Sequence, residues 1–128
     1  MCIRDSLTGL SSGGFWAFQM ALATPARYAA FAPMSIVMCA TCFPGQTLTK
    51  QQAWTQGAQI LMKLPIWQFH GDADPMVPVT EVRAQIAAFK AAGHRIIYTE
   101  YPGVGHSAWQ PAYNDPNLWT WMLSKRRQ

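Results

Sequence analysis

Three short stretches of this chain hold residue types that together could carry out nucleophilic chemistry. Residues 9–13 read GLSSG, a serine set between glycines. Residues 70–78 read HGDADPMVP, and residues 103–107 read GVGHS. A serine hydroxyl attacks poorly until a base takes its proton, and a histidine serves as that base best when an acid holds its tautomer. Ser11, an acid from Asp72 or Asp74, and His106 would supply such a set, and the chemistry would be acyl transfer. Taken alone, the pentapeptide fits a glycine-rich turn as well as a nucleophile. The decision therefore rests on the elements that must bring the three stretches together.

Those elements alternate. Residues 3–8 read as a short extended segment leading into the glycine turn, and residues 12–23 as a helix apolar nearly all round, ended by Thr24-Pro25. Such a helix belongs in a core. Residues 28–37 read as a buried strand, 50–62 as a helix and 65–70 as a strand. Val79, Val82, Ile86 and Phe89 give helical spacing up to a stop at Gly93. Residues 95–101 read as a fourth strand, and Leu118, Trp119, Trp121 and Met122 as the apolar face of a last helix. Alternation with apolar strands predicts an α/β fold, a mostly parallel sheet flanked by helices on both faces. In such sheets chemistry sits beyond the carboxyl ends of the strands. Ser11, the acids of the 70s loop and His106 each follow a strand, in the order Ser, Asp, His, which is also the α/β-hydrolase order.

Composition excludes other classes. The chain has 128 residues, of which 50% are hydrophobic and only 12% charged, enough apolar content for one core. Net charge is +4, but the excess forms no stripe beyond Lys125-Arg126-Arg127, a basic end suited to a helix terminus. Nucleic acid is therefore not an expected partner. No apolar run is long enough to predict a membrane span. MCIRDS lacks the apolar centre of a signal peptide and resembles a translated linker scar, so residues 1–6 read as a non-native leader and the domain as 7–128.

The stretches LTGLSSGGFWAF, PIWQFHGDADPMVPV and GHSAWQPAYNDPNLWTWMLSKRR resemble the α/β-hydrolases. They are most similar to the carboxylesterase, dienelactone-hydrolase and polyhydroxybutyrate-depolymerase-like serine esterases, including those described as predicted peptidases. The resemblance covers nearly everything after residue 6. It implies Ser11 as nucleophile, Asp74 as acid by the spacing H-G-x-x-D-x-x-V-P, and His106 as general base. It also implies the Ser12 backbone N–H as an oxyanion donor. No metal or organic cofactor is implied, and the substrate would be a small-molecule or polymeric ester. Ser11 departs from the cysteine of the dienelactone hydrolases proper, and SIVMCATC replaces glycines usual after the second strand. The resemblance further implies N-terminal strands and a His-Gly loop with a second oxyanion donor, which this chain is expected to lack. The chain alone is thus expected to be weak or inactive. Export, known among relatives, would need a signal upstream.

Each remaining residue has a plainer reading. Asp72 reads as a loop cap, His70 as a satisfied structural histidine, and His94 as a surface residue at a helix end. Trp109, just past His106, reads as core, with a substrate pocket as the alternative. Met34, Met38 and Met62 read as core filling. Cys39 and Cys42 form a C-x-x-C without the partners of a metal site; they read as buried or loop thiols, with a local disulfide as the alternative. Three other functions compete with the esterase: a prolyl-oligopeptidase-like serine peptidase, a catalytically dead hydrolase-like binding module, and a C-x-x-C redox protein reactive at Cys39 and Cys42, which has only that one motif behind it.

Overall fold

The computed structural model describes residues 5–128, so most of the expected leader, residues 1–4, lies outside the described residues. Four strands run β1 (Ser6–Leu10), β2 (Ala30–Met34), β3 (Trp67–Gly71) and β4 (Ile97–Tyr101). Five α-helices connect or follow them: α1 (Ser12–Ala23), α2 (Lys50–Ile60), α3 (Val79–Ala91), α4 (Trp109–Tyr113) and α5 (Pro116–Ser124). The strands lie in chain order β1-β2-β3-β4, and every pairing is parallel. Ser6, assigned above to the leader, pairs with Ala30 as the first residue of β1.

Sequential parallel strands joined by crossovers of one hand put all the connecting helices on one face. Accordingly Ala17 and Phe18 of α1, Trp54 and Ala58 of α2, and Val82, Ile86 and Phe89 of α3 share a core with Phe31 and Ile66. The opposite face is covered by Ala112 of α4 and Leu118 and Met122 of α5, packed on Ala30, Ala32, Met34 and Phe69. Side chains of β2 thus alternate between the two layers. Thr49 opens α2 with a reciprocal capping box to Gln52. Gly93, at φ 92°, ends α3 in the left-handed conformation that its sequence position predicts.

Several expectations change. The second strand is shorter than 28–37. Phe31 N–H donates to Pro65 O and Ser35 N–H to Phe69 O, so the intervening position that should also donate to β3 is Pro33, which has no N–H. The ladder between β2 and β3 is interrupted there, and the chain turns out of the strand at Ser35, φ 52°. Helix α1 is not covered all round: Trp16 is 64% exposed and Met20 49%. Its inner face lies on β1 and β2, whereas its outer face extends past β1, which pairs on one side only among the described residues. Met34 and Met38 are buried but Met62 is exposed in the turn after α2. The final helical stretch is two helices, and Trp119 faces outward while Leu118 and Met122 are buried.

One polar network lies inside the first core. Gln85 Nε2 donates to Gln68 Oε1 at 2.8 Å, and Gln68 Nε2 donates to Ile36 O at 2.7 Å. Met38 N–H donates to Gln85 Oε1 at 2.6 Å, and Trp54 Nε1 donates to Met38 O at 2.7 Å. Both glutamines are fully buried, and together they tie the segment leaving β2 to β3, α2 and α3. Replacing Gln85 by Leu strands the Met38 N–H and the Gln68 carbonyl without partners. The Gln85→Leu chain is expected to lose about 3 kcal/mol of stability in urea unfolding; a loss below about 0.5 kcal/mol would show that relaxation re-pairs both groups.

Candidate active site

The site is built at the carboxyl ends of β1, β3 and β4. Ser11 occupies the one residue between β1 and α1, with φ 50° and ψ −123°, a conformation that an L-residue adopts only under strain. Two backbone bonds hold it: Ser11 N–H to Met34 O at 3.0 Å, and Phe15 N–H back to Ser11 O at 3.1 Å. Gly9 permits the tight reversal, since a Cβ there would stand 2.5 Å from Gly13 O. Gly13 itself faces open space; the second close approach belongs instead to Gly14, where a Cβ would meet Ile36 Cγ2 at 2.7 Å. The pentapeptide pattern did not single out Gly14, because the contact is with Ile36, in the segment that leaves β2. Ser12 begins α1, and its N–H is among the amides of a first helical turn that have no intrahelical acceptor.

The loops after β3 and β4 are laced together. Ala73 N–H donates to Val104 O at 3.0 Å, and Gly103 N–H to Asp72 Oδ1 at 2.7 Å. Gly71 lies directly under the second loop, where a Cβ would fall 2.1 Å from Val104 O. Asp72 is therefore a loop-bonding residue, and Asp74 is the acid that reaches His106. Asp74 Oδ1 accepts the Met76 and Val77 N–H groups at 2.8 and 2.9 Å. Asp74 Oδ2 accepts His106 Nδ1–H at 2.8 Å, and His106 Nε2 stands 2.8 Å from Ser11 Oγ. Residues far apart in sequence thus form one continuous hydrogen-bonded row.

Electrostatics follow from that row. Burial alone would push the Asp74 carboxyl up, but the Val77 N–H, the His106 ring and the Met76 N–H outweigh it and hold the carboxyl below its ordinary value. A carboxylate only accepts, so neutral His106 carries its proton on Nδ1 and presents a bare Nε2 to the serine. Trp109, the first residue of α4, stands edge-on to the His106 ring with centroids 5.6 Å apart. It packs against the second core and fences one side of the imidazole.

The two other histidines are structural. His70 is fully buried, donates Nε2–H to Val77 O at 2.9 Å, and lies 3.7 Å from Asp74 Oδ2. His94 is not at the surface, as its position after Gly93 suggests, but only 5% exposed. Its Nε2–H donates to Leu61 O and Leu64 O in the turn after α2, and burial pushes its pKa down. Cys39 and Cys42 are free thiols, and among the described residues no group of three or more His, Cys, Asp or Glu could hold a metal. No helix among the described residues is long and apolar enough to cross a membrane.

Residues 6–115 match the phospholipase/carboxylesterase family. The chain belongs to that family. Among curated relatives, acyl-protein thioesterase 1 of Gibberella zeae is 39% identical over 44 residues, 34% of this chain and 19% of that protein. Among solved structures, a thermostable esterase superposes with a TM-score of 0.77 at 25% identity, covering 98% of this chain and 32% of its own. A ferulic acid esterase superposes with a TM-score of 0.72 at 17% identity, over 95% of this chain and 53% of its own, a likeness of fold. This member of the phospholipase/carboxylesterase family therefore spans less than two thirds of the relatives it matches.

A depressed Asp74 pKa links acid to unfolding. Because the folded value lies below the unfolded one, the stabilisation is complete above the unfolded pKa of about 4 and is lost as pH falls through the folded value. The stability gap between the wild-type chain and Asp74→Asn is expected to stay constant above about pH 5 and to narrow below about pH 4. Urea titrations across that range measure it; an invariant gap would mean that burial cancels the hydrogen bonds.

Proposed function

We propose that Ser11, His106 and Asp74 are the catalytic residues of a serine esterase that cleaves carboxylic esters through an acyl-enzyme. The observation that carries this reading is the unbroken row Ser11 Oγ–His106 Nε2 and His106 Nδ1–Asp74 Oδ2, each link 2.8 Å. As Ser11 Oγ attacks the carbonyl carbon, its proton passes to His106 Nε2. The buried Asp74 carboxylate stabilises the imidazolium that results. The carbonyl oxygen, now an anion, takes the Ser12 N–H at the positive end of α1. His106 then protonates the leaving alcohol, and a water activated by the same imidazole releases the acid.

Strain at Ser11 supports the assignment, since this sharp strand-to-helix turn holds its hydroxyl within 2.8 Å of His106 Nε2. A thioester substrate class is favoured beside the oxygen ester by the likeness to acyl-protein thioesterases, because the acyl half of the reaction is the same. Only one oxyanion donor, Ser12, is assigned among the described residues. Turnover by this chain is therefore expected to fall below that of a two-donor site by about 10²–10³.

A serine-directed phosphonate should label Ser11, and an activated ester should give a burst of one acyl group per chain. Ser11→Ala is expected to abolish both, and Asp74→Asn to lower kcat by about 10³–10⁴ with KM little changed. An unchanged burst in Ser11→Ala would overturn the nucleophile. Absence of labelling in an otherwise folded chain would favour the binding module.

A further inference from the structure

Cys39 and Cys42 stand away from the row just described, on the turn between β2 and α2. Their sulfurs are 3.7 Å apart, and both are free thiols. The backbone already closes this turn: Cys42 N–H donates to Cys39 O at 3.1 Å, with Cys39 at the start of a single 3₁₀ turn over Ala40–Cys42. The frame around it is firm. Upstream, Met38 is held at its N–H by Gln85 and at its carbonyl by Trp54. Downstream, Cys42 and Phe43 are buried in the core beside α2. Bringing the sulfurs to a bonded separation of about 2.05 Å thus asks for side-chain rotation within a turn whose ends are fixed.

We propose that Cys39 and Cys42 form a reversible dithiol–disulfide site that reacts with low-molecular-weight disulfides, Cys39 entering and Cys42 resolving. The two thiols differ in access: Cys39 is half-buried, and Cys42 is only 4% exposed. Thr41 Oγ1, 3.0 Å from Cys39 Sγ, gives the entering sulfur a polar neighbour at the mouth of the turn.

The exchange balances. Cys39 gives up its proton to solvent, and its thiolate attacks one sulfur of the small disulfide. That sulfur–sulfur bond breaks, and the departing thiolate is protonated to a free thiol. Cys42 then loses its proton and attacks Cys39 Sγ in the mixed disulfide, releasing the second small thiol. Two protein thiols are oxidised, and one small disulfide is reduced to two thiols.

The environment orders these steps. Burial, then the nearby Cys39 charge and the hydrogen bond to its sulfur, push the Cys42 thiol up to about 12. Once Cys39 is capped, its charge and that hydrogen bond are gone and burial remains. Resolution therefore quickens with rising pH, as more of Cys42 becomes thiolate. This site stands whether or not Ser11 is a nucleophile, because it shares no residue with the row.

The test uses the full 128-residue chain with Cys2, which lies outside the described residues, replaced by Ser. Oxidised glutathione is the probe, and intact mass with thiol titration is the readout. The expected product has lost two hydrogens and both titratable thiols, and dithiothreitol restores them. Adding Cys42→Ser should stop the reaction at a single glutathione adduct on Cys39. In the parent, resolution should rise about tenfold per pH unit between pH 7 and 9. A persistent adduct with Cys42 free, disulfide-linked dimers, or no reaction at all would overturn the site. A resolution rate independent of pH would overturn Cys42 as the resolving thiol.

Discussion

The backbone of Ser11 is the constraint on which the site depends. A non-glycine residue at φ 50° and ψ −123° costs on the order of 1–3 kcal/mol, and it persists only where the surroundings over-determine it. Three sets of contacts do so. The parallel register of β1 on β2 places Met34 O to receive the Ser11 N–H. Gly9 lets the first turn of α1 settle onto β1, and Gly14 lets Ile36 lie against the same turn. The core of α1, with Ala17, Phe18 and Ala21 buried, then fixes the helix axis. The strain is thus carried by the best-packed part of the fold rather than by a flexible loop.

A second dependence runs through the polar groups beneath the surface. Asp74 has no exposed side-chain surface, yet each of its oxygens is hydrogen-bonded. The donors of Oδ1 are backbone amides two and three residues on, so the carboxylate organises its own loop before it meets His106. His70 completes the arrangement by bonding Val77 O from below, which pins the far end of that turn. Removing any one of these groups leaves another buried and unpaired, so the loop after β3 is specified as a unit.

Much of this architecture can be read from the residues themselves. Alternation of apolar strands with helices, and the placement of Ser11, Asp74 and His106 after strands, already points to an α/β fold. Family membership and the superposed esterases agree with it. What escaped is what depends on contacts across the sheet. Pro33 looks harmless inside YAAFAPMSIV until its missing N–H is seen to face β3. Trp16 and Met20 look like core until β1 is seen to be paired on one side only among the described residues. His94 looks like a surface residue until the carbonyls of Leu61 and Leu64, in the turn after α2, are found beside it.

One segment links the glutamine network to the Ser11 turn: Gln68 and Gln85 bond the backbone of Ile36 and Met38, and the Ile36 side chain lies against Gly14. Ser35, strained at φ 52°, still donates its N–H to Phe69 O of β3, and residues 36–38 beyond it belong to no strand. Gln68 and Gln85 supply the missing partners from β3 and α3, at the cost of two buried amides. In return Ile36 is held against Gly14, one turn from Ser11. An apolar pair at 68 and 85 would leave the Met38 N–H and the Ile36 carbonyl without these partners. Polar side chains inside this core are therefore best understood as positioning a backbone segment: they fix the wall of the Ser11 turn, a task that apolar packing does not perform.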